Sequence, residues 1–323
     1  MKAAVYRGSH NIRVEEVPEP RVSGRKVLID FKAGSVCGTD LHFYRGEWKW
    51  IKRGRIIGHD ACGVRVDSGE RLVMVPIAYC GKCYFCLRGL PTYCTRGKFM
   101  GLTRDGFFSE KIALGSRNLV PVPDDVSNGE AAVVEPVALA LRVLNALKTD
   151  VDDWVTVLGQ GAIGSLMTQI ARLKGCRVIA VDLEDYRLQL AQKYGAEFCV
   201  NAKREDAAKR VKAITKRRSD VVIEAAGTIE AVRQTPFLVR KAGKVALIGE
   251  SRGYLNLEDA YEAMFFTMYI SPVEYPLAVQ LIAKETVDVK GLITHRYKLA
   301  DFEKALRTAD NPAKKALKLV ITQ

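Results

Sequence analysis

The 323-residue sequence has few histidines and no long apolar run. Only four imidazoles are available to any chemistry: His10, His42, His59 and His295. No apolar stretch approaches the roughly 18 residues that a membrane-spanning helix requires. The first residues, Met1 to Arg7, are typical of a strand, and no apolar core of a signal peptide follows them. We therefore expect a cytoplasmic protein that makes no membrane contact.

Acidic residues are also in deficit. Fifty Lys and Arg face thirty-seven Asp and Glu, which gives a net charge of +13. Such a charge can attract nucleic acid, anionic lipid or phosphorylated cofactors. The densest basic stretch, 203–218, has Ala and Val at helical spacing but no aromatic residue on which bases could stack. It predicts a solvated helix face, and we expect no nucleic-acid partner.

The pattern of predicted secondary structure changes near residues 121–125. Before this point, short β-like runs such as 26–31, 71–75 and 111–114 are separated by Gly and Pro, which predicts a mainly β unit. After it, longer apolar helices alternate with β-branched strands. That alternation is typical of a parallel sheet covered on both faces, so the second unit is predicted to be α/β.

A glycine-rich turn follows the predicted strand 154–158 and opens a predicted helix. Residues Gly159, Gly161, Ala162, Ile163 and Gly164 belong to a G-x-G-x-x-G motif, which lets backbone approach a pyrophosphate at a helix N-terminus. The next predicted strand ends at Asp182, near the distance expected for the acid that binds the ribose hydroxyls.

The acid also predicts which cofactor is used. A carboxylate would repel a 2′-phosphate, so Asp182 favours NAD over NADP. Arg187 lies close by in the sequence and could bind the cofactor and tolerate some NADP. Its spacing equally suits a residue on a helix surface.

Four of the eight cysteines form a cluster with C-x2-C-x2-C-x7-C spacing. Its members are Cys80, Cys83, Cys86 and Cys94. Four thiolates can close a tetrahedral zinc site with no position left for substrate, so we predict structural zinc. An iron–sulfur cluster is the rival, but its motifs have a different final spacing. A zinc ribbon would need two separated C-x2-C knuckles.

A second metal site is less strongly indicated. Cys37 and His59, with carboxylates near them, are suitable ligands for zinc that keeps a position open for substrate. Glu135 lies in an apolar stretch, where an acid needs a partner and a cation is a good one. The alternatives stay open, because buried cysteines and histidines are common and Glu135 could be a carboxylate at a helix N-terminus.

Taken in order, these motifs resemble the zinc-containing medium-chain alcohol and polyol dehydrogenases, in their sorbitol and threonine dehydrogenase branch. The resemblance covers nearly the whole chain and is carried by segments 37–42, 58–60, 80–94, 106–110, 135–136, 159–164 and 293–296. It implies a GroES-like, mainly β catalytic domain of residues 1–126 and 288–323. It also implies a doubly wound Rossmann NAD-binding domain of residues 127–287, with a cleft between the two.

The resemblance also implies roles for individual residues. Cys37 and His59 would bind catalytic zinc, and Asp60 and Glu135 would bind it directly or through water. Thr39 and His42 would form a proton relay, although Thr39 could also cap a helix that begins near Asp40.

Two features depart from the family pattern. The family's Gly-His-Glu is Gly-His-Asp here, which puts direct ligation by Asp60 in question. The segment between Gly63 and Cys80 is also shorter than usual, so the β domain is expected to have lost a surface turn without losing a ligand.

The function implied is hydride transfer between NAD and a secondary alcohol, polyol or sugar hydroxyl, by a homodimer or homotetramer. One alternative is a zinc-free enone or quinone reductase of the same superfamily. Another is a basic zinc protein that binds nucleic acid, and a third is a nucleotide sensor without turnover.

Overall fold

The computed structural model describes residues 1–267 and 270–323. It divides into two compact units, the first formed by Met1–Ala138 and Ile270–Gln323 and the second by Leu139–Tyr269. The sequence-based boundaries lie after residues 126 and 287.

The first unit begins with short strands and few helices. In chain order these are β1 (Lys2–Gly8), β2 (Asn11–Glu16), β3 (Lys26–Ser35), α1 (Gly38–Tyr44), β4 (Arg55–Ile56), β5 (Ala61–Arg65), β6 (Arg71–Met74), β7 (Ile77–Ala78), α2 (Tyr84–Leu87), β8 (Lys98–Phe99), β9 (Lys111–Gly115), β10 (Leu119–Pro121), α3 (Asn128–Ala131) and the start of α4 (Val134–Leu147). The predicted β character of this region is confirmed.

The second unit alternates strands and helices. Its elements are β11 (Trp154–Leu158), α5 (Ala162–Leu173), β12 (Arg177–Asp182), α6 (Asp185–Lys193), β13 (Phe198–Asn201), α7 (Ala207–Thr215), β14 (Ser219–Glu224), α8 (Ile229–Leu238), β15 (Val239–Leu247), α9 (Leu257–Ala260) and β16 (Met264–Thr267). The C-terminal part of the first unit follows with α10 (Tyr275–Ala283), β17 (Ile293–Lys298), α11 (Phe302–Ala309) and β18 (Lys318–Thr322).

The last strand of the chain completes the main sheet of the first unit. That sheet has the order β10-β6-β5-β3-β18-β17, with β9 also paired to β3. β18 lies antiparallel to β3, with Val320 opposite Ser35. The C-terminal return to the first unit is therefore confirmed, and it brings Lys318 beside the end of β3.

An aromatic core holds the first unit together. Phe31, Phe43 and Phe108 are completely buried, and α11 covers them with the similarly buried Phe302 and Leu306. Burying an aromatic side chain of this size stabilises the fold by roughly 1.5–3 kcal/mol. The buried residues of α11, Phe302, Ala305 and Leu306, lie on one face at helical spacing.

The sheet of the second unit is parallel throughout, with the order β13-β12-β11-β14-β15-β16. In sequence order this is 3-2-1-4-5-6, the doubly wound arrangement that places a dinucleotide site at the carboxyl ends of its central strands. Every residue of β11 and of β14 is buried, as expected for strands covered on both faces.

The basic stretch forms the predicted solvated helix. α7 buries Ala207, Val211 and Thr215, while Lys209 and Lys212 on its other side are exposed. Within the described residues, no helix combines the length and the apolarity needed to cross a bilayer.

Candidate metal and cofactor sites

The four clustered cysteines converge on one point. The sulfur atoms of Cys80, Cys83, Cys86 and Cys94 all lie within 4.8 Å of one another. Cys83 Sγ is 3.5 Å from Cys86 Sγ and 3.9 Å from Cys94 Sγ. Backbone N–H groups of Cys86 and Thr95 lower the pKa of Cys83 to about 5. Four converging sulfurs, one already favoured as a thiolate, fit a closed zinc site.

A second group of metal-binding side chains lies in the same unit. Ligand atoms of Cys37, His59 and Asp60 all lie within 4.8 Å of one another. Cys37 follows β3, and the other two precede β5, so the antiparallel pairing of these strands brings the side chains together. His59 and Asp60 are buried, and His59 Nε2 is 3.5 Å from Asp60 Oδ1.

One oxygen of Asp60 is already engaged by the protein. Ser35 Oγ and Lys318 Nζ each donate a hydrogen bond of 3.0 Å to Asp60 Oδ2. Among the described residues, Asp60 Oδ1 and His59 Nδ1 have no hydrogen-bond partner although both atoms are buried. A buried polar atom left unpaired costs free energy, so these atoms are suited to a ligand that the protein itself does not provide.

Glu135 approaches this group from the first turn of α4, where it is an acid at a helix N-terminus. Its carboxyl lies against the side chain of Asp60, outside the Cys37–His59–Asp60 cluster. Burial and the charge of Asp60 raise the pKa of Glu135 to about 8. Burial, together with the charges of Glu135 and Asp60, raises the pKa of Tyr275 well above its ordinary value.

Acidic side chains outnumber basic ones in this buried region. Burial raises the pKa of Asp40 to about 6. Burial lowers the pKa of His59, but the charges of Asp60 and Cys37 outweigh burial and raise it well above its ordinary value. Three carboxyl groups and a thiol surround one lysine and one imidazole. A divalent cation bound here would favour the ionised forms of these acids, and the sulfur and nitrogen donors fit zinc.

Helix α1 carries the two predicted relay residues. The helix begins at Gly38 with Cys37 at its N-cap, so the alternative that Thr39 caps a helix starting near Asp40 is wrong. The cap is made by Asp40, whose Oδ2 accepts a hydrogen bond of 2.9 Å from the Cys37 backbone N–H. Thr39 Oγ1 lies 3.8 Å from Cys37 Sγ, next to the candidate metal ligands.

His42 lies in the last turn of α1. Its Nδ1 is hydrogen-bonded to the Glu47 carboxylate, and its ring stacks on Trp48 with centroids 5.1 Å apart and planes 9° apart. The imidazole is one-fifth exposed.

The glycine turn has the geometry that its motif predicts. Gly159 has a φ of +85°, in the left-handed region that favours glycine. A Cβ at Gly164 would lie 1.7 Å from the Gly159 carbonyl oxygen, whereas a Cβ at Gly161 would meet no described heavy atom within 4 Å. Gly164 therefore serves close packing, and Gly161 leaves open space at the N-terminus of α5, where a phosphate fits.

Asp182 is held at the end of β12 by backbone N–H groups. Oδ2 accepts from Gln160 at 2.6 Å, and Oδ1 accepts from Leu183 at 2.7 Å and from Glu184 at 2.9 Å. Arg187 lies on the adjacent helix α6, and its Nη1 is 3.7 Å from Asp182 Oδ2. The acid is thus fixed close to the glycine turn, within one unit.

Three polar residues of the metal site were missed in the sequence: Ser35, Lys318 and Tyr275. Lys318 carried a signal, because a lysine inside the apolar run Leu317-Lys318-Leu319-Val320-Ile321 needs a buried anion or solvent. Ser35 and Tyr275 had no comparable signal.

Comparisons with known proteins agree with this arrangement. A family described as "Alcohol dehydrogenase GroES-like domain" matches residues 23–124, and one described as "Zinc-binding dehydrogenase" matches residues 162–309. Sorbitol dehydrogenase of Bacillus subtilis (strain 168) is 30% identical, with 99% of this chain and 97% of that protein covered. L-threonine 3-dehydrogenase of Rhizobium etli (strain CIAT 652) is 31% identical, with 94% and 93% covered.

A solved structure extends the likeness to three dimensions. The crystal structure of an Escherichia coli CFT073 alcohol dehydrogenase, complexed with cofactor NADH, superposes with a TM-score of 0.91 at 26% identity, covering 100% of this chain and 99% of that one. The resemblance and fold class inferred from the sequence are therefore confirmed. The chain belongs to the zinc-containing medium-chain alcohol and polyol dehydrogenases, oxidoreductases that transfer a hydride from a hydroxyl donor.

Proposed function

We propose that the chain oxidises a secondary hydroxyl group of a polyol, sugar or amino alcohol, with NAD as hydride acceptor and zinc at the Cys37–His59 site. The observation that carries the proposal is the convergence of Cys37, His59 and Asp60 on one buried point. A zinc-free enone or quinone reductase would have no use for a thiol, an imidazole and a carboxylate gathered in this way.

The protein would hold the catalytic zinc through Cys37 Sγ, the His59 imidazole and a carboxylate. Glu135 is our choice for the carboxylate, because Asp60 Oδ2 already accepts hydrogen bonds from Ser35 and Lys318. Asp60 would then act beside the metal, directly through Oδ1 or through water. Cys80, Cys83, Cys86 and Cys94 would hold the structural zinc.

When bound, zinc supplies the Lewis acidity that eases deprotonation of a hydroxyl, and the nicotinamide supplies the hydride acceptor. The chain's own residues would position the substrate and move its proton. Thr39, whose hydroxyl lies beside Cys37, would take up the substrate proton through a hydrogen bond and release its own hydroxyl proton through the cofactor ribose towards His42. His42 would pass that proton to solvent, which its partial exposure allows.

The second unit would bind NAD at the glycine turn. Gly159, Gly161, Ala162, Ile163 and Gly164 would accommodate the pyrophosphate, and Asp182 would accept hydrogen bonds from the ribose hydroxyls. Arg187 pairs with Asp182, so we expect it to weaken the discrimination against NADP without reversing it. The ratio of kcat/KM for NAD and NADP tests this preference.

The substrate is tested by following NAD reduction at 340 nm across a panel of alcohols, polyols, sugars and amino alcohols. We expect turnover with at least one secondary hydroxyl. Cys37→Ser should abolish that turnover while circular dichroism stays unchanged. Cys199→Ser is the matched control, since Cys199 lies in β13 of the other unit. Equal turnover in the Cys37→Ser variant would contradict the proposal.

We further propose that the protein is cytoplasmic and acts as a homodimer or homotetramer. Large apolar side chains that are more than 60% exposed support association: Tyr84, Leu87, Val151, Tyr254, Leu257, Tyr261 and Val273. Light scattering after size exclusion would measure the subunit number, and a monomer at micromolar concentration would contradict it.

A further inference from the structure

His42 is constrained from two directions by residues that follow it in the sequence. Its Nδ1 is hydrogen-bonded to a Glu47 carboxylate oxygen, and its ring lies parallel to Trp48. Trp48 in turn stacks on Trp50 at 5.3 Å and meets the edge of Phe43 at 5.4 Å. Rotation of the imidazole about χ2 would drive its edge into Trp48, so the ring is held in one orientation.

A tight turn brings Glu47 back beside His42. Gly46 adopts a φ of +73°, and a Cβ there would lie 2.7 Å from Ser9 Cβ. The turn is closed by a hydrogen bond of 3.0 Å from the Glu47 backbone N–H to the His42 carbonyl. The carboxylate and the backbone N–H of Glu47 are therefore both hydrogen-bonded to His42.

Arg45 supports the carboxylate from the other side. Its Nη1 lies 3.8 Å from Glu47 Oε1, and its Nε donates a hydrogen bond of 2.6 Å to Asp310. Arg45 thus forms an ion pair with the Glu47 carboxylate. An ionised carboxylate can only accept a hydrogen bond, so the shared hydrogen lies on Nδ1 of the imidazole.

We infer that Glu47 is a positioning residue that fixes the tautomer of His42. With the hydrogen on Nδ1, the Nε2 atom is left with a lone pair and is ready to accept a proton. The inference rests on the proposed relay role of His42, and it adds a residue that the relay requires but that touches neither substrate nor cofactor.

The tautomer can be measured without any enzymatic assay. The full-length chain is labelled with ¹⁵N-histidine, and long-range ¹H–¹⁵N spectra are recorded at pH 8. Only four imidazoles contribute, and His42→Asn identifies the signal of interest. We expect wild-type His42 to be protonated at Nδ1. Glu47→Ala should shift the hydrogen towards Nε2, the site that an unconstrained neutral histidine prefers.

The catalytic consequence is measured on the same variants. Glu47→Ala should lower kcat roughly tenfold, a fraction of the full effect of a general base. KM for NAD and for the alcohol should stay within about twofold, since Glu47 binds neither. Glu303→Ala is the control, because Glu303 is half-exposed on α11 and pairs only with Arg307 among the interactions described. This variant should change neither the tautomer nor kcat.

Failure of this inference is distinguishable from failure of the proposed function. A wild-type His42 protonated at Nε2, or a Glu47→Ala variant that keeps the Nδ1 tautomer, would overturn the inference whatever the activity. If the tautomer changes as expected but neither Glu47→Ala nor His42→Asn lowers kcat, Glu47 still positions the ring, and the relay role of His42 is what fails.

Discussion

Lys318 Nζ donates a hydrogen bond of 3.0 Å to Asp60 Oδ2 across 258 residues of sequence. Both side chains are almost fully buried, with 4% and 0% of their surface exposed. The Val36 carbonyl, 3.2 Å from Nζ, accepts a second hydrogen bond from the lysine. Burial lowers the pKa of Lys318, but the charges of Asp60 and Cys37 outweigh burial and raise it. The C-terminal strand thus supplies a fixed cation next to the candidate metal ligands.

Replacing this lysine should destabilise the first unit strongly. Lys318→Met would leave Asp60 as a buried charge without its ion-pair partner, which costs about 3–5 kcal/mol. We expect urea unfolding to report that loss. Lys304→Met, on the exposed side of α11, is the matched control. The double variant Lys318→Met/Asp60→Asn should recover part of the stability. Unfolding of Lys318→Met at the same urea concentration as Lys304→Met would contradict the stabilising role of Lys318.

The two glycines of the cofactor turn should respond differently to alanine. Gly164→Ala would force a methyl group to within 1.7 Å of the Gly159 carbonyl oxygen, so we expect loss of several kcal/mol or failure to fold. Gly161→Ala has room and should keep the wild-type Tm. Its methyl group would occupy the space predicted for the pyrophosphate, so NADH affinity should fall at least tenfold, as measured by fluorescence titration. Unchanged NADH binding in Gly161→Ala would contradict the assignment of this turn.

The cysteine cluster should bind one zinc ion independently of the catalytic site. We expect two zinc ions per wild-type chain by elemental analysis, and one in Cys83→Ser. Loss of the structural ion should also lower Tm, because metal binding and folding of the loop are coupled. Cys62→Ser is a suitable comparison: Cys62 lies outside both clusters, and burial raises its pKa to about 12, which disfavours a thiolate. Two zinc ions retained by Cys83→Ser would exclude this role.

Asp220 should make the second unit sensitive to acid. Burial raises the pKa of Asp220, but hydrogen bonds from Arg240, the Trp154 backbone and Arg217 outweigh burial and lower it. A lowered pKa in the folded state adds stability above the ordinary value of about 3.9, and this stability is lost as pH falls through the lowered value.

The measurement is Tm from pH 7 to pH 3 for wild type and Asp220→Asn. At pH 7 the variant should be less stable by roughly 1–2 kcal/mol, because charge-assisted hydrogen bonds to two arginines are weakened. The difference in stability between wild type and Asp220→Asn should become smaller below about pH 4. A constant difference across this range would show that the carboxylate charge is not the cause.

Local spacing was enough to predict much of the fold and two of the sites. The cysteine cluster and the glycine turn are each encoded within fifteen residues, so their geometry follows from short-range constraints. The start of strand β15 does not follow from local pattern: the strand begins at Val239, ahead of its apolar run, because Val239 pairs with Ser219 of β14.

Contacts between residues on distant strands could not be predicted from local sequence spacing. Lys318 reaches Asp60 only because β18 inserts beside β3, and nothing in either local sequence specifies that partner. Similarly, the contact between Glu47 and His42 requires a left-handed turn at Gly46, where a side chain would collide with Ser9. A threonine hydroxyl can cap a helix, which suggested this role for Thr39. The helix begins at Gly38, however, so Thr39 lies inside it.

The central claim is that Cys37, His59 and a carboxylate share one metal ion. Anomalous diffraction at the zinc absorption edge, from crystals of the zinc-loaded protein, tests it most directly. The account predicts two peaks per chain, one among the four clustered sulfurs and one within bonding distance of Cys37 Sγ and a His59 nitrogen. A single peak at the cysteine cluster, with Cys37 and His59 bound to no common ion, would contradict it.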